Sequence, residues 1–100
     1  MADQRVILTP DSIVRAARNS ISCELDGEAA VLNILSGNYY GLDAVSAAVW
    51  KIVEQPRTLA AIIREITSMY DVDPVRCKRD LIGLIGQLQE HGLVEISDML

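Results

Sequence analysis

One histidine, His91, and two cysteines, Cys23 and Cys77, are all this chain offers in imidazole and thiol chemistry. A nucleophilic or general-base centre needs such groups side by side, with a third residue to orient the base. His91 stands just before Gly92, where a helix should stop, and a cation at a helix C-terminus has a structural reason to be there. Cys23 and Cys77 lie far apart and make no metal-ligand spacing. As cytosolic thiols they read as small buried hydrophobes. The six glycines fall at turns, at the helix end, and as Gly83 and Gly86 within a helix, so no phosphate loop is present. The expectation is a chain without a catalytic set, metal site or cofactor.

What remains is the chemistry of the backbone. The stretch "LNILSGNYYGLD", residues 32 to 43, reads as a strand, a Ser-Gly turn and a second strand with two adjacent tyrosines. A helix follows, so the second strand falls at the edge of its sheet. An edge strand carries unpaired N–H and C=O groups, and an extended peptide can add to it, with neighbouring apolar pockets supplying specificity. The third helix offers one candidate wall. At 100° per residue, Cys77, Leu81, Leu84 and Leu88 fall in one narrow sector with Ile85 at its shoulder, and this is the expected core stripe. Val75 and Ile82 lie roughly 120° or more round from it, beside Lys78 and Arg79. They are either packed under a neighbouring element or form an apolar strip with basic edges, facing a groove. Gly86 shares that side and could admit another backbone closely, at about 1 kcal/mol of helix propensity.

These residues need a scaffold, and composition bounds it. One hundred residues make one domain with one modest core. Half are hydrophobic, but only four are aromatic and Phe is absent, so Leu, Ile, Val and Ala must fill the interior around Trp50 and Tyr40. No apolar run reaches the roughly 18 residues of a membrane span, and the N-terminus lacks the pattern of a secretory signal. A cytoplasmic location is the expectation. The net charge of −5 disfavours nucleic acid as a partner, since such binding draws on a positive field.

Along the chain the first half reads as β and the second as α. Residues 11 to 19 suit either a helical turn or an extended segment. From Ser20, Ile21, Cys23 and Leu25 alternate with polar residues as in a half-buried strand. Asp26-Gly27 is a hairpin turn signal, "EAAVLNIL" (28 to 35) returns, and Ser36-Gly37 turns again into "NYYGL". Asp43 then caps a helix to about Glu54, with Val45, Val49, Ile52 and Val53 as its stripe. Thr58 caps a second, with Leu59, Ile62, Ile63, Ile66 and Tyr70 on one side. Asp73 and Pro74 open a third, which stops at Gly92 before a short strand or tail, "LVEI". The expected fold is α+β and winged-helix-like: a three-stranded antiparallel sheet followed by a three-helix bundle.

In this order the parts resemble the PqqD-like family, whose members are also called precursor-peptide recognition elements. The resemblance covers residues 20 to 96. It rests on "LDGEAAVLNILSGNYYGLDAVSAAVW", then "TLAAIIREITSMYDVD" and "CKRDLIGLIGQLQEHGLV". Asp43 stands where many relatives have Asn, and either caps a helix. The resemblance implies binding without catalysis. Members hold the leader segment of a ribosomally synthesised precursor peptide as a strand beside the third strand, in a cleft closed by the third helix. Carried over, that implies Asn38, Tyr39, Tyr40, Gly41 and Leu42 for backbone pairing, and Val75, Lys78, Arg79 and Ile82 for the groove. The style is most similar to the stand-alone leader-binding proteins of lasso-peptide pathways, with a leader peptidase and a macrocyclase as client enzymes. Quinone-cofactor (PQQ) synthesis with a radical SAM partner is a related implication. Residues 1–19 would form an added strand or an arm that docks on a second copy to give a homodimer. The competing reading of three helices and strands is a winged-helix DNA-binding regulator, against which stand the acidity and the hairpin tips "DGE" and "LSGN".

Overall fold

The computed structural model describes residues 8–25 and 28–97. The elements are β1 (Ile13–Ala16), β2 (Ser20–Leu25), β3 (Glu28–Asn33), β4 (Tyr39–Leu42), α1 (Ala44–Val53), β5 (Arg57–Thr58), α2 (Leu59–Met69), α3 (Pro74–Glu90) and β6 (Val94–Ser97). The class is α+β, but two three-stranded antiparallel sheets stand where one was expected: β2-β3-β4 and β5-β1-β6. The three helices do not follow one another as an uninterrupted bundle either, because β5 separates α1 from α2.

The second sheet joins distant parts of the chain. β1 is its middle strand, paired with β6 from Ile13↔Ser97 to Ala16↔Val94 and with β5 at Ile13↔Thr58 and Val14↔Arg57. Arg15 and Glu95, opposite each other on β1 and β6, form an exposed ion pair at 2.7 Å. Val14 is fully buried beneath this sheet. Residues 13–16, ambiguous as sequence, thus take the extended alternative because partners for them arrive from elsewhere.

The first sheet is the expected meander. Pairing of β2 with β3 runs from Ser20↔Asn33 to Leu25↔Glu28, which leaves two residues between the strands. The Asp26-Gly27 turn read there lies outside the described residues. The inward face carries Ala29 and Val31 from β3 and Leu42 from β4. β2 differs from its half-buried expectation: Ile21, Ser22, Cys23 and Glu24 are all exposed. Its apolar alternation points to the outer side of an edge strand, and Cys23 is an exposed thiol rather than a buried one.

β3 also ends earlier than its apolar run suggests. Ile34 and Leu35 lie in the turn and are exposed, because the side chain of Asn33 takes over the backbone there. Its Oδ1 accepts from the N–H groups of Leu35 (3.0 Å) and Ser36 (3.3 Å), and from Asn19 Nδ2 (3.1 Å). Its Nδ2 donates to the carbonyl of His91 at 2.9 Å. Gly37, at φ 76°, closes the turn by donating to the Asn33 carbonyl at 2.7 Å. Gly92 must be glycine for two reasons: its φ is 73°, and a Cβ there would sit 3.1 Å from Asn33 Nδ2.

The helices begin where their caps put them. Asp43 accepts from Ser46 N–H at 2.8 Å, Thr58 from Ala61 N–H at 3.1 Å, and Asp73 from Arg76 N–H at 3.2 Å. α1 buries Val49, Trp50, Ile52 and Val53, while Val45, expected in that stripe, is exposed. α2 buries Leu59, Ile62 and Ile66. α3 buries Cys77, Leu81, Ile85 and Leu88. Ile85 is fully buried, and Leu84 is only half-buried. The core stripe of α3 is therefore centred about 30° round from the sequence estimate, toward Ile85.

Candidate functional site

β4 ends the first sheet, and among the described residues only β3 pairs with it. The direction of its backbone groups follows from the register. Asn33 N–H donates to the Asn38 carbonyl at 3.0 Å, and these two residues are in register with Val31↔Tyr40 and Ala29↔Leu42. In an antiparallel ladder such bonded pairs alternate with unbonded ones. Tyr40 and Leu42 therefore turn their N–H and C=O groups toward β3, as Asn38 does its carbonyl, while the Asn38 N–H donates to Ser36 Oγ at 3.3 Å. Tyr39 and Gly41 turn theirs to the open edge.

Side chains alternate in the other sense. Leu42 is buried, and Tyr40 is half-buried against the core. The Tyr40 ring meets that of His91 with centroids 4.4 Å apart, tilted by 31°. Tyr39 stands on the outer face and is 69% exposed. Gly41 is exposed, with no atom within 4 Å of where a Cβ would be.

At the other end of β4 lies a cleft of about 530 Å³ between the start of α1, the end of α2 and the first turns of α3. Val45, Ile66, Tyr70, Val72, Leu81 and Leu84 give it an apolar lining, and Asp43, Asp71, Asp73, Asp80 and Arg76 give it charge. The Asp43 carboxyl is held below the usual carboxylate range by the Ser46 N–H it accepts. Burial pushes the Cys77 thiol up, so it is a poor nucleophile there. A second cleft of about 590 Å³ opens on the other side of α1, beneath β2 and β3. Both of its bases are paired within it, Lys51 with Glu24 at 2.7 Å and Arg57 with Glu65 at 2.8 Å. It also lies away from the open strand edge.

The Tyr40–His91 contact and the first cleft fix which side of α3 looks toward β4. Arg76, Asp80, Leu84, Gln87 and His91 fall within a sector about 80° wide. The first three line the cleft with Asp43 and Val45, and the last meets Tyr40. Of the sequence-predicted residues, Asn38, Tyr39, Tyr40, Gly41 and Leu42 come together on β4 and the residue leading into it. Val75, Lys78, Arg79 and Ile82 lie about 100° to 160° round α3 from the side that meets β4. Val75 is 74% exposed, Lys78 and Arg79 are exposed, and Ile82 is half-buried against the core. The structure does not bring these four together with the strand. The sequence reading did not place Asp80, Leu84, Gln87 or His91 on the side of α3 that looks toward β4. A helix wheel identifies two flanks of a core stripe but cannot say which one a distant strand will approach. Counting Ile85 in place of Leu84 in the stripe would have released Leu84 as an apolar residue needing another purpose.

The family model described as coenzyme PQQ synthesis protein D (PqqD) matches residues 28–94. No curated protein matches the chain. Two solved structures share the fold. One is described as "TbiB1 in Complex with the TbiA(beta) Leader Peptide". It is 30% identical, with a TM-score of 0.76, over 81% of this chain and 94% of that one. The other is described as "Lasso peptide synthetase B1 complexed with the leader peptide", at 23% identity and a TM-score of 0.73, over 82% and 96%. With a match from β3 to the start of β6, this chain belongs to the PqqD family.

Proposed function

We propose that the chain binds the leader segment of a ribosomally made precursor peptide, without catalysis, as a strand added to β4 alongside α3. The attached core peptide is thereby presented to modifying enzymes in the cytoplasm, a leader peptidase and a macrocyclase. The observation that carries this reading is the open edge of β4, with the backbone of Tyr39 and Gly41 turned outward beside an apolar cleft. The leader-bound state of the 30% identical TbiB1 supports it. On α3, the proposed contacts are Asp80, Leu84 and Gln87, which share the side of the helix that meets β4.

Proline tests the mode of binding, because it deletes one donor at a chosen place in the ladder. The probe is a fluorescein-labelled peptide spanning the leader of a precursor encoded beside this chain. Tyr39→Pro removes an outward N–H, so the dissociation constant should rise by at least about tenfold, one good hydrogen bond or more, with little change in melting temperature. Tyr39→Ala controls for the lost ring. Tyr40→Pro removes an N–H that faces β3 and should chiefly lower the melting temperature. Unchanged leader affinity in folded Tyr39→Pro protein would rule out strand addition at β4.

A further inference from the structure

The cleft at the end of β4 has a chemistry of its own. Its floor is aliphatic, from Val45, Ile66, Leu81 and Leu84, and its volume of about 530 Å³ holds a branched side chain with room for neighbours. Its rim is acidic: Asp43, Asp71, Asp73 and Asp80 stand against the single base Arg76. Arg76 is only loosely engaged, 4.0 Å from Asp80, with both side chains largely exposed.

Two helix N-termini, those of α1 and α3, also open on this cleft, and a bare helix N-terminus attracts anions. Here both are already occupied by the chain's own carboxylates. Asp43 accepts from Ser46 N–H, and Asp73 from Arg76 N–H. Each helix end is equivalent to about half a positive charge, so the two caps more than offset them. Asp71 and Asp80 then leave the rim negative even after Arg76 is counted. An acidic peptide or a free carboxylate is disfavoured at such a rim.

We infer that this cleft takes an aliphatic side chain of the bound peptide whose close neighbours in the peptide sequence are lysine or arginine. The inference rests on the reading of β4 as the peptide-binding edge, since the cleft is continuous with that strand through Asp43. A strand laid on Tyr39 to Leu42 would run directly past it. Its apolar residue would fill the floor, and adjacent cations would meet Asp71 and Asp80 at the rim. The long methylene stems of Lys and Arg can lie on the apolar wall while their charges reach the acids.

The test is selection of peptides from a phage-displayed random library of twelve-residue sequences on the immobilised full chain. Enriched peptides are resynthesised with a fluorescent label, and their binding is measured by anisotropy. Amide exchange at Tyr39 and Gly41 reports whether each peptide sits on β4. Peptides that slow this exchange should carry an aliphatic residue with Lys or Arg within two positions. Replacing that base by Glu should weaken binding roughly three- to tenfold, and high salt should reduce the difference. The Asp71→Asn/Asp80→Asn double variant, which leaves both caps intact, should abolish most of it. Peptides that slow exchange at β4 but tolerate Glu beside the aliphatic residue would overturn the inference and leave the proposed function standing. If no selected peptide slows exchange at β4, both fail together.

Discussion

The side-chain amide of Asn33 reaches the β3–β4 turn, the entry to β2 and the carbonyl of His91, the C-cap of α3, at once. It is 7% exposed, and both ends of its amide are satisfied. Asn33→Ala leaves the His91 carbonyl and the Asn19 amide without that partner, a cost of about 1–3 kcal/mol. The urea midpoint should fall accordingly with an unchanged m-value; an unmoved midpoint would show that solvent replaces the amide without cost. The Asn33 contacts with the Leu35 and Ser36 N–H groups are local, but the two that tie the turn to the rest of the fold are 14 and 58 positions away and leave no local signal in the sequence. Asp43 was legible, since its cap depends on a residue three positions on. Its folded-state pKa is depressed, so its contribution is full above the unfolded carboxyl value of about 3.9 and is lost as pH falls through the lower folded value. Asn caps almost as well but carries no charge for the helix dipole. Asp43→Asn should therefore melt slightly below the parent near neutral pH, by at most about 1 kcal/mol, and the gap should close on acidification. A gap that persists at low pH would assign the difference to something other than the carboxylate.

At the scale of elements, helices and the meander were readable because their signals are local. Caps, stripes and turn residues sit within a few positions of what they control. What could not be read was which flank of α3 would meet β4, and three glutamate substitutions separate the flanks. Ile85 is fully buried in the stripe, so Ile85→Glu should unfold the protein, as an unpaired buried charge must. Leu84 is half-buried at the cleft. Leu84→Glu should fold, with modest loss of stability, and lose most of its affinity for leader. Ile82, on the far flank, should tolerate Glu with leader affinity near the parent's and some loss of stability from its partial burial. Leader binding lost in folded Ile82→Glu but kept in Leu84→Glu would return the groove to the Val75–Ile82 side. Circular dichroism establishes folding before each anisotropy measurement.

For the molecule as a whole, the first and last of the described strands, β1 and β6, pair with each other. β1 lies between β5 and β6, so the first strand in sequence completes a sheet whose other members come after α1 and after α3. Periodicity cannot report such a pairing: Ile13 faces Ser97 and Thr58, and each segment is only two to four residues long, too short to carry a period of its own. This long-range closure also supports the site, because Ala17 N–H donates to the Leu93 carbonyl at 2.9 Å, next to the Asn33–His91 link that braces β4. Shortening the chain to start at Arg18 removes β1 and with it the fully buried Val14 and Ser12. β5 and β6 then lose their ladders, and the core side chains beneath β1 meet water. Burying one such side chain contributes about 1.5–3 kcal/mol, and a domain this size has only about 5–15 kcal/mol in total. The shortened chain should therefore lose its cooperative thermal transition, and with it leader binding, although β4 and α3 are untouched. A chain starting at Leu8 keeps β1 and should melt as a single transition and bind leader. A sharp melt with full leader affinity in the chain starting at Arg18 would show that the meander and helices stand alone, and that β1 is an accessory to them.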